Sequence, residues 1–273
     1  MIIRTPAIVL SIRPWSRTSH MVTWLTPEHG KLVTSVKGAC RPKSAFLGQY
    51  DLFYTCDLLF YRREHEGVHA IRECVPVGLR EPLRRRWRHA AAASYLCDLT
   101  ARVTLGHHES SALFALLTNA LNRLAAEDDA DCPDASGLRA LILWYETHAL
   151  RLLGLLPDLA VCPECHPSDR VWLRFSLPSG RLLCPHLAKG QPGESTLALH
   201  RGVRELFLRM TEAVAADAGQ DALSAVKEVP LNLLLGLSRF LGMFMAFHLE
   251  VPSAVRRVTW EMLDTNPARI PAR

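Results

Sequence analysis

Residues 25–44 read Leu-Thr-Pro-Glu-His-Gly-Lys-Leu-Val-Thr-Ser-Val-Lys-Gly-Ala-Cys-Arg-Pro-Lys-Ser, and this stretch decides the fold of the first third of the chain. It ends one strand, turns at Pro-Glu-His-Gly, runs a second strand and spills into a basic loop. Successive side chains of a strand point to opposite faces. Lys31, Val33, Ser35 and Lys37 therefore share one face, and Leu32, Thr34 and Val36 share the other. One face suits a core and the other an anion. Gly38, Arg41 and Lys43 carry the positive charge into a segment with no apolar pattern, for which a phosphate backbone is the natural partner.

Working outward, residues 7–13, 18–25, 31–37, 52–62 and 67–74 are short alternating or apolar runs separated by turn-rich segments, with a hairpin connection at 63–66. Five strands of this length in about 75 residues fit a small closed barrel of OB type. The charge is segregated in the same way. Residues 1–90 hold 15 Lys/Arg against 7 Asp/Glu, and the rest of the chain holds 17 against 20. The positive field thus belongs to the barrel and the first turns after it. Trp15, Trp24, Phe53 and Tyr54 are the aromatics available for stacking on bases, with at least two of them expected in the barrel core.

From Glu81 the apolar period becomes helical. Leu83, Trp87 and Ala91 begin a stripe that Arg84, Arg85, Arg86 and Arg88 surround. Further helices are predicted over 111–126, 138–156, 199–216 and 230–249, with a polar loop at 127–136 and a polar tail at 264–273. The fold class is α+β: an N-terminal OB-fold barrel (1–79), an all-helical domain in two parts (80–158 and 197–263), and a zinc-knuckle-like β-hairpin inserted at 159–196. The apolar stretch 231–249 is interrupted by Ser238 and Arg239 and reads as a core helix, not a membrane span. Residues 1–14 lack a signal-peptide pattern, and five of the eight cysteines are scattered, so a reduced, cytoplasmic protein is expected.

The insertion contains Cys162-Pro-Glu-Cys165, a strand candidate at 171–176, a Pro-Ser-Gly turn and Leu-Leu-Cys184-Pro-His186. Three thiolates at this spacing with one imidazole can fill a tetrahedral Zn2+ shell, which makes the metal structural. Cys162, Cys165 and Cys184 are the sulfur ligands. The fourth is His186, with His166 and His200 as alternatives. No phosphate loop, dinucleotide fingerprint or nucleophile elbow occurs, and a hydrolytic metal centre lacks its carboxylates, so no enzyme is read from the chain.

The segment 8–19, Ile-Val-Leu-Ser-Ile-Arg-Pro-Trp-Ser-Arg-Thr-Ser, together with 25–30 and 37–44, resembles the bacterial recombination mediator family RecO. The resemblance continues through Arg72-Glu73, Tyr145-Glu146, Leu150, Leu153-Gly154, Cys162-x-x-Cys165 and Leu182-Leu-Cys184. It implies an OB barrel, a helical domain and, in many members, a zinc knuckle. It also implies binding and annealing of single- and double-stranded DNA, partnership with RecR, contact with the C-terminal tail of single-strand-binding protein, and indirect assistance to RecA. Three positions depart from the family pattern. Arg17 stands where an acid is usual, Cys40 where arginine is frequent, and Leu187 where zinc-binding members place their last cysteine.

Residues and resemblance converge on Lys31, Lys37, Arg41 and Lys43 as phosphate contacts, extended by Arg13, Arg17, Arg84, Arg85, Arg86 and Arg88. A groove around 145–156, with Arg139, Tyr145 and Arg151, is the expected seat of the acidic, apolar-ended tail. The rival reading is a zinc-stapled, non-enzymatic protein adaptor without direct DNA binding, which leaves the basic first third unexplained.

Overall fold

The computed structural model describes residues 1–63, 67–106, 108–126, 135–160, 171–183, 195–215, 229–250 and 253–265. Two compact units divide the chain, Met1–Asp129 and Ala130–Arg273.

The first unit is built on five strands: β1 (Ile2–Ser16), β2 (Ser19–Thr26), β3 (Gly30–Val36), β4 (Thr55–Tyr61) and β5 (Val68–Gly78). They close in the order β1-β2-β3-β5-β4, with β4 returning to β1. All pairings are antiparallel except β3 with β5, a join that needs the long crossover through β4. Alternation builds the interior. Leu32, Thr34 and Val36 of β3 face inward, as expected, and the Trp24 indole N–H donates to Thr34 Oγ1 at 2.9 Å. That bond satisfies the polar edge of a fully buried ring. Register shifts in β1 at Val9/Ser11 and in β5 against β4 mark irregularities of the kind that bend strands toward closure.

Along residues 7–10 of β1 both faces are buried. The outer face packs against a helix, α2 (Trp87–Val103), which follows the single turn α1 (Pro82–Arg85). The one helix predicted from Glu81 is therefore two, because Arg86 adopts extended angles (φ −114°, ψ 101°) between them. The next helix, α3 (Ser111–Ala126), packs on α2, and its apolar stripe of Leu113, Leu116, Leu117, Leu121 and Leu124 is buried. The fourth strand starts at Thr55 rather than 52, since Phe53 sits at φ 70° and cannot extend a ladder.

The second unit comprises α4 (Ser136–Leu152), strands β6 (Trp172–Ser176), β7 (Arg181–Leu183) and β8 (Thr196–His200), and helices α5 (Arg201–Ala215), α6 (Leu231–His248) and α7 (Ser253–Asp264). Two boundaries correct the prediction. The helix expected over 138–156 stops at Leu152, and Gly154 (φ 69°) follows in the left-handed conformation that closes helix ends. The helix expected from 199 begins at Arg201, because 196–200 pairs with β6 as the third strand of a sheet ordered β7-β6-β8. The β6–β7 hairpin lies where the inserted hairpin was read. Helix α6 is long and apolar enough to cross a bilayer by length and composition, yet Leu234, Leu237, Leu241 and Met245 are buried and it packs on α4, α5 and β8.

Candidate nucleic-acid interface

The basic surface is made by two connections at one end of the barrel. The last residues of β1 carry Arg13 and Trp15, the β1–β2 turn carries Arg17, and the β3–β4 loop carries Lys37, Arg41 and Lys43. Hydrogen bonds join the β3–β4 loop to the β1–β2 turn and the start of β2. The Cys40 amide donates to the Thr18 carbonyl at 3.2 Å, and the Gly38 amide donates to Ser19 Oγ at 3.3 Å. Gly38 at φ 71° makes the sharp exit from β3 that this approach requires.

The loop itself is a chain of tight turns: Arg41 N–H to Gly38 O at 3.1 Å, Ser44 N–H to Arg41 O at 3.0 Å, and Leu47 N–H to Ser44 O at 3.2 Å. Ala39 and Tyr50 sink into the barrel core and Phe46 packs against it, so the loop is held from beneath. Arg13, Arg17, Lys37, Arg41 and Lys43 are exposed, and their charged ends meet no hydrogen-bond or ion-pair partner among the described residues. They form a cationic tip on a fixed frame, able to hold phosphates.

Trp15 is 69% exposed on this tip, whereas Trp24, Phe53 and Tyr54 are all core. One of the four aromatics is thus presented to solvent, and the other three build the barrel. The far end of the loop is fastened by arginines. Arg80 donates to Phe53 O at 2.5 Å, to Thr55 Oγ1 at 3.0 Å and to Asn122 Oδ1 at 2.8 Å. Burial draws its pKa downward.

Three predicted DNA contacts, Lys31, Arg84 and Arg88, are engaged within the fold. Lys31 is half-buried, and its Nζ donates to the Ala101 carbonyl at 2.7 Å, in the last turn of α2. There a cation meets the negative end of the helix dipole. Arg84 is ion-paired with Asp51 and lies over the Tyr54 ring at 5.5 Å. Arg88 corrects the prediction outright: it is buried, 8% exposed, and stacks over Trp87 at 5.4 Å. Arg86 is half-buried. Arg85 remains at the surface, and with Glu81, Pro82 and Arg86 it lines a shallow cavity of about 190 Å³.

The expected tail groove is also corrected. Tyr145 is fully buried, and Arg139 is 1% exposed, ion-paired with Asp264 and stacked over Trp260 at 5.2 Å. Neither offers a surface to a partner. Only Arg151 of that group is exposed. Over the same Trp260 ring as Arg139, Arg256 donates to both oxygens of Glu146, at 2.7 and 2.9 Å, and to Ser238 Oγ at 3.0 Å. No pattern in the sequence pointed to this pair, whose partners are 110 residues apart.

Cys162, Cys165, Cys184 and His186, with the alternative His166, lie outside the described residues. His200 ends β8, where its Nδ1 accepts the Gly202 amide at 3.1 Å and its ring meets Trp172 at 5.1 Å. Among the described residues no group of three or more His, Cys, Asp or Glu is placed to hold a metal.

Comparison with known proteins agrees with this architecture. Residues 1–80 match the family described as Recombination protein O N terminal, and residues 84–257 match Recombination protein O C terminal. A protein named DNA repair protein RecO from Anaeromyxobacter sp. (strain Fw109-5) is 31% identical over 259 residues, covering 88% of this chain and 95% of its own. Similar proteins of the same name occur in Symbiobacterium thermophilum, 31% identical over 216 residues (75% of this chain, 78% of its own), and in Anaeromyxobacter dehalogenans (strain 2CP-C), 29% identical over 252 residues (88% and 95%). From the barrel to the last helices, the chain belongs to the Recombination protein O family.

Proposed function

We propose that this chain is a non-enzymatic, DNA-binding mediator of recombinational gap repair. Its relatives are DNA repair proteins by name, and the same role is assigned here. The observation that carries the reading is the barrel tip, where Arg13, Arg17, Lys37, Arg41 and Lys43 stand exposed around Trp15 on a hydrogen-bonded frame. Such a surface binds phosphates without reading sequence, and a stacking ring adds affinity for unpaired bases. Annealing follows from the same physics, because neutralised phosphates let two strands approach each other.

In this reading RecR is the working partner, and together they admit RecA to strands covered by single-strand-binding protein, in the cytoplasm at the nucleoid. The acidic tail of that protein is drawn to exposed cations. Of the residues first considered, Arg151 is the one able to meet it, and Arg151→Ala is expected to weaken tail-peptide binding. Zn2+ held by Cys162, Cys165, Cys184 and His186 would brace the insertion, the donor set being that of a closed structural site. One zinc per chain by elemental analysis is the expected result.

The deciding experiment is fluorescence-anisotropy binding of single- and double-stranded DNA across a salt series, for wild type and Lys37→Glu/Arg41→Glu. Salt-sensitive binding that collapses in the variant is expected. Binding absent from wild type at low salt would leave only the protein-adaptor role.

A further inference from the structure

Within the basic tip three polar side chains form a relay from solvent to core. Cys40 Sγ lies 3.2 Å from His20 Nε2, and His20 Nδ1 lies 2.8 Å from the Tyr50 hydroxyl. Cys40 is exposed, His20 is half-buried on β2, and Tyr50 is buried at the base of the loop. The arrangement is fixed on every side. The Cys40 amide is bonded to Thr18 O at 3.2 Å, and the Tyr50 ring packs edge-on to His20 and against Trp24, both at 6.1 Å.

The other cysteines among the described residues are different. Cys56, Cys74 and Cys97 are buried. Burial pushes the Cys97 thiol up to about 12, and the Cys56 contact followed by burial pushes Cys74 up as well. The Cys74 and Cys97 thiols stay protonated. Cys40 instead faces water beside Lys37, Arg41 and Lys43, with an imidazole on its sulfur.

A thiol becomes a nucleophile when a base takes its proton and a third group orients the base. Tyr50 supplies the orientation. Burial pushes its pKa up to about 12, so it remains a neutral hydroxyl whose oxygen can accept the His20 Nδ1–H. The Nε2 lone pair then faces the sulfur, and the imidazolium formed by proton transfer has both N–H groups bonded, one to the thiolate and one to Tyr50.

We propose that Cys40 is a thiol-modification site, activated by His20 and Tyr50, at which hydroperoxides oxidise the sulfur to a sulfenic acid that a small thiol caps as a mixed disulfide. In the first step the thiolate attacks the peroxide. An S–O bond forms, the O–O bond breaks, sulfur loses two electrons, and the leaving oxygen takes the proton held on His20. In the second step a thiol displaces that oxygen as water, forming S–S at the expense of S–O. A glutathione cap adds bulk and net negative charge between Lys37 and Arg41. Its effect on DNA rests on the function proposed above; the thiol chemistry does not.

The test uses the full chain. Hydrogen peroxide is added with dimedone, and labelling of the Cys40 peptide is followed by mass spectrometry in wild type, His20→Gln and Tyr50→Phe, with a synthetic peptide of residues 36–44 as the unactivated reference. Cys40 in wild type should label roughly ten-fold faster than the peptide, with most of the advantage lost in His20→Gln and part of it in Tyr50→Phe, which keeps the ring packing. Equal rates in wild type and peptide, or a rate unmoved by both substitutions, overturn the proposal. In the second arm, glutathionylated wild type should bind DNA several-fold more weakly at low salt than identically treated Cys40→Ser. Equal binding overturns the regulatory consequence. If untreated protein does not bind DNA, the mediator reading fails, while the labelling rates still decide the thiol site.

Discussion

The barrel tip and the core of the second unit use the same residue type in opposite ways. At the tip, Arg13 on the end of β1 and Arg17 and Arg41 on the following connections are exposed to water on backbone-bonded segments. In the second unit Arg139 and Arg256 lie within the packed interior, their forks set on Asp264 and Glu146 and their faces on Trp260, each 5.2 Å from its ring. A guanidinium serves recognition only where the fold provides no acceptor of its own. Where it does, the same group becomes a joint between helices.

The largest effect should come from breaking that joint. Glu146 is fully buried and Arg256 nearly so, and removing one partner strands the other charge in a dry site. Glu146→Leu should cost about 3–5 kcal/mol in urea unfolding of the second unit, with DNA binding at the tip retained wherever the protein is folded. Pairing it with Arg256→Met should recover much of the loss, because an apolar pair leaves no charge stranded.

At the tip the balance reverses. Lys37→Glu/Arg41→Glu should leave stability within about 0.5 kcal/mol of wild type, since neither side chain supports the fold. DNA affinity should fall by roughly ten- to a hundred-fold at low salt, with a shallower salt slope in the anisotropy titration. Trp15→Ala sharpens the contrast further. It should weaken single-stranded binding by about 1–2 kcal/mol and leave duplex binding nearly unchanged, because paired bases have no free face to stack.

How far the sequence reveals this difference depends on the range of the interaction. Alternation over 31–37 correctly separates Leu32, Thr34 and Val36 from the outward face, and the helical stripe of 111–126 matches the buried set. These are local periodicities, which a chain shows without knowing its partners. What fails is long-range. Arg139 looks like a surface cation until Trp260 and Asp264, more than a hundred residues on, are placed around it. The strand at 196–200 is short and borders a helix, so only its ladder to 172–176 reveals it. The Cys40–His20–Tyr50 relay likewise joins residues of separate segments that carry no shared motif.

Lys31 sits on the boundary between the two regimes. Its parity places it on the outward face with Lys37, yet α2 closes over that end of the strand and takes its ammonium at Ala101 O. Lys31→Met should therefore cost about 1 kcal/mol of stability, through the lost helix-end contact, and change DNA affinity far less than Lys37→Met. Urea midpoints and DNA titrations of the two variants side by side make the comparison. An equal affinity loss would return Lys31 to the interface.

The smallest effect concerns a barrel ion pair that is neither recognition nor core. Arg4 on β1 donates to Asp57 on β4, with Nε 2.9 Å from Oδ2, across paired strands in open solvent. The hydrogen bond from Arg4, ahead of its charge, holds the Asp57 carboxyl below its ordinary range. A depressed carboxylate contributes stability above its unfolded value, and that contribution is lost as pH falls through the folded value. Asp57→Asn should thus shift the urea midpoint only slightly near neutrality, and the difference from wild type should vanish in acid below the carboxylate range and shrink in high salt. A gap that persists in acid would mean that packing across β1 and β4, and not charge, distinguishes the two proteins.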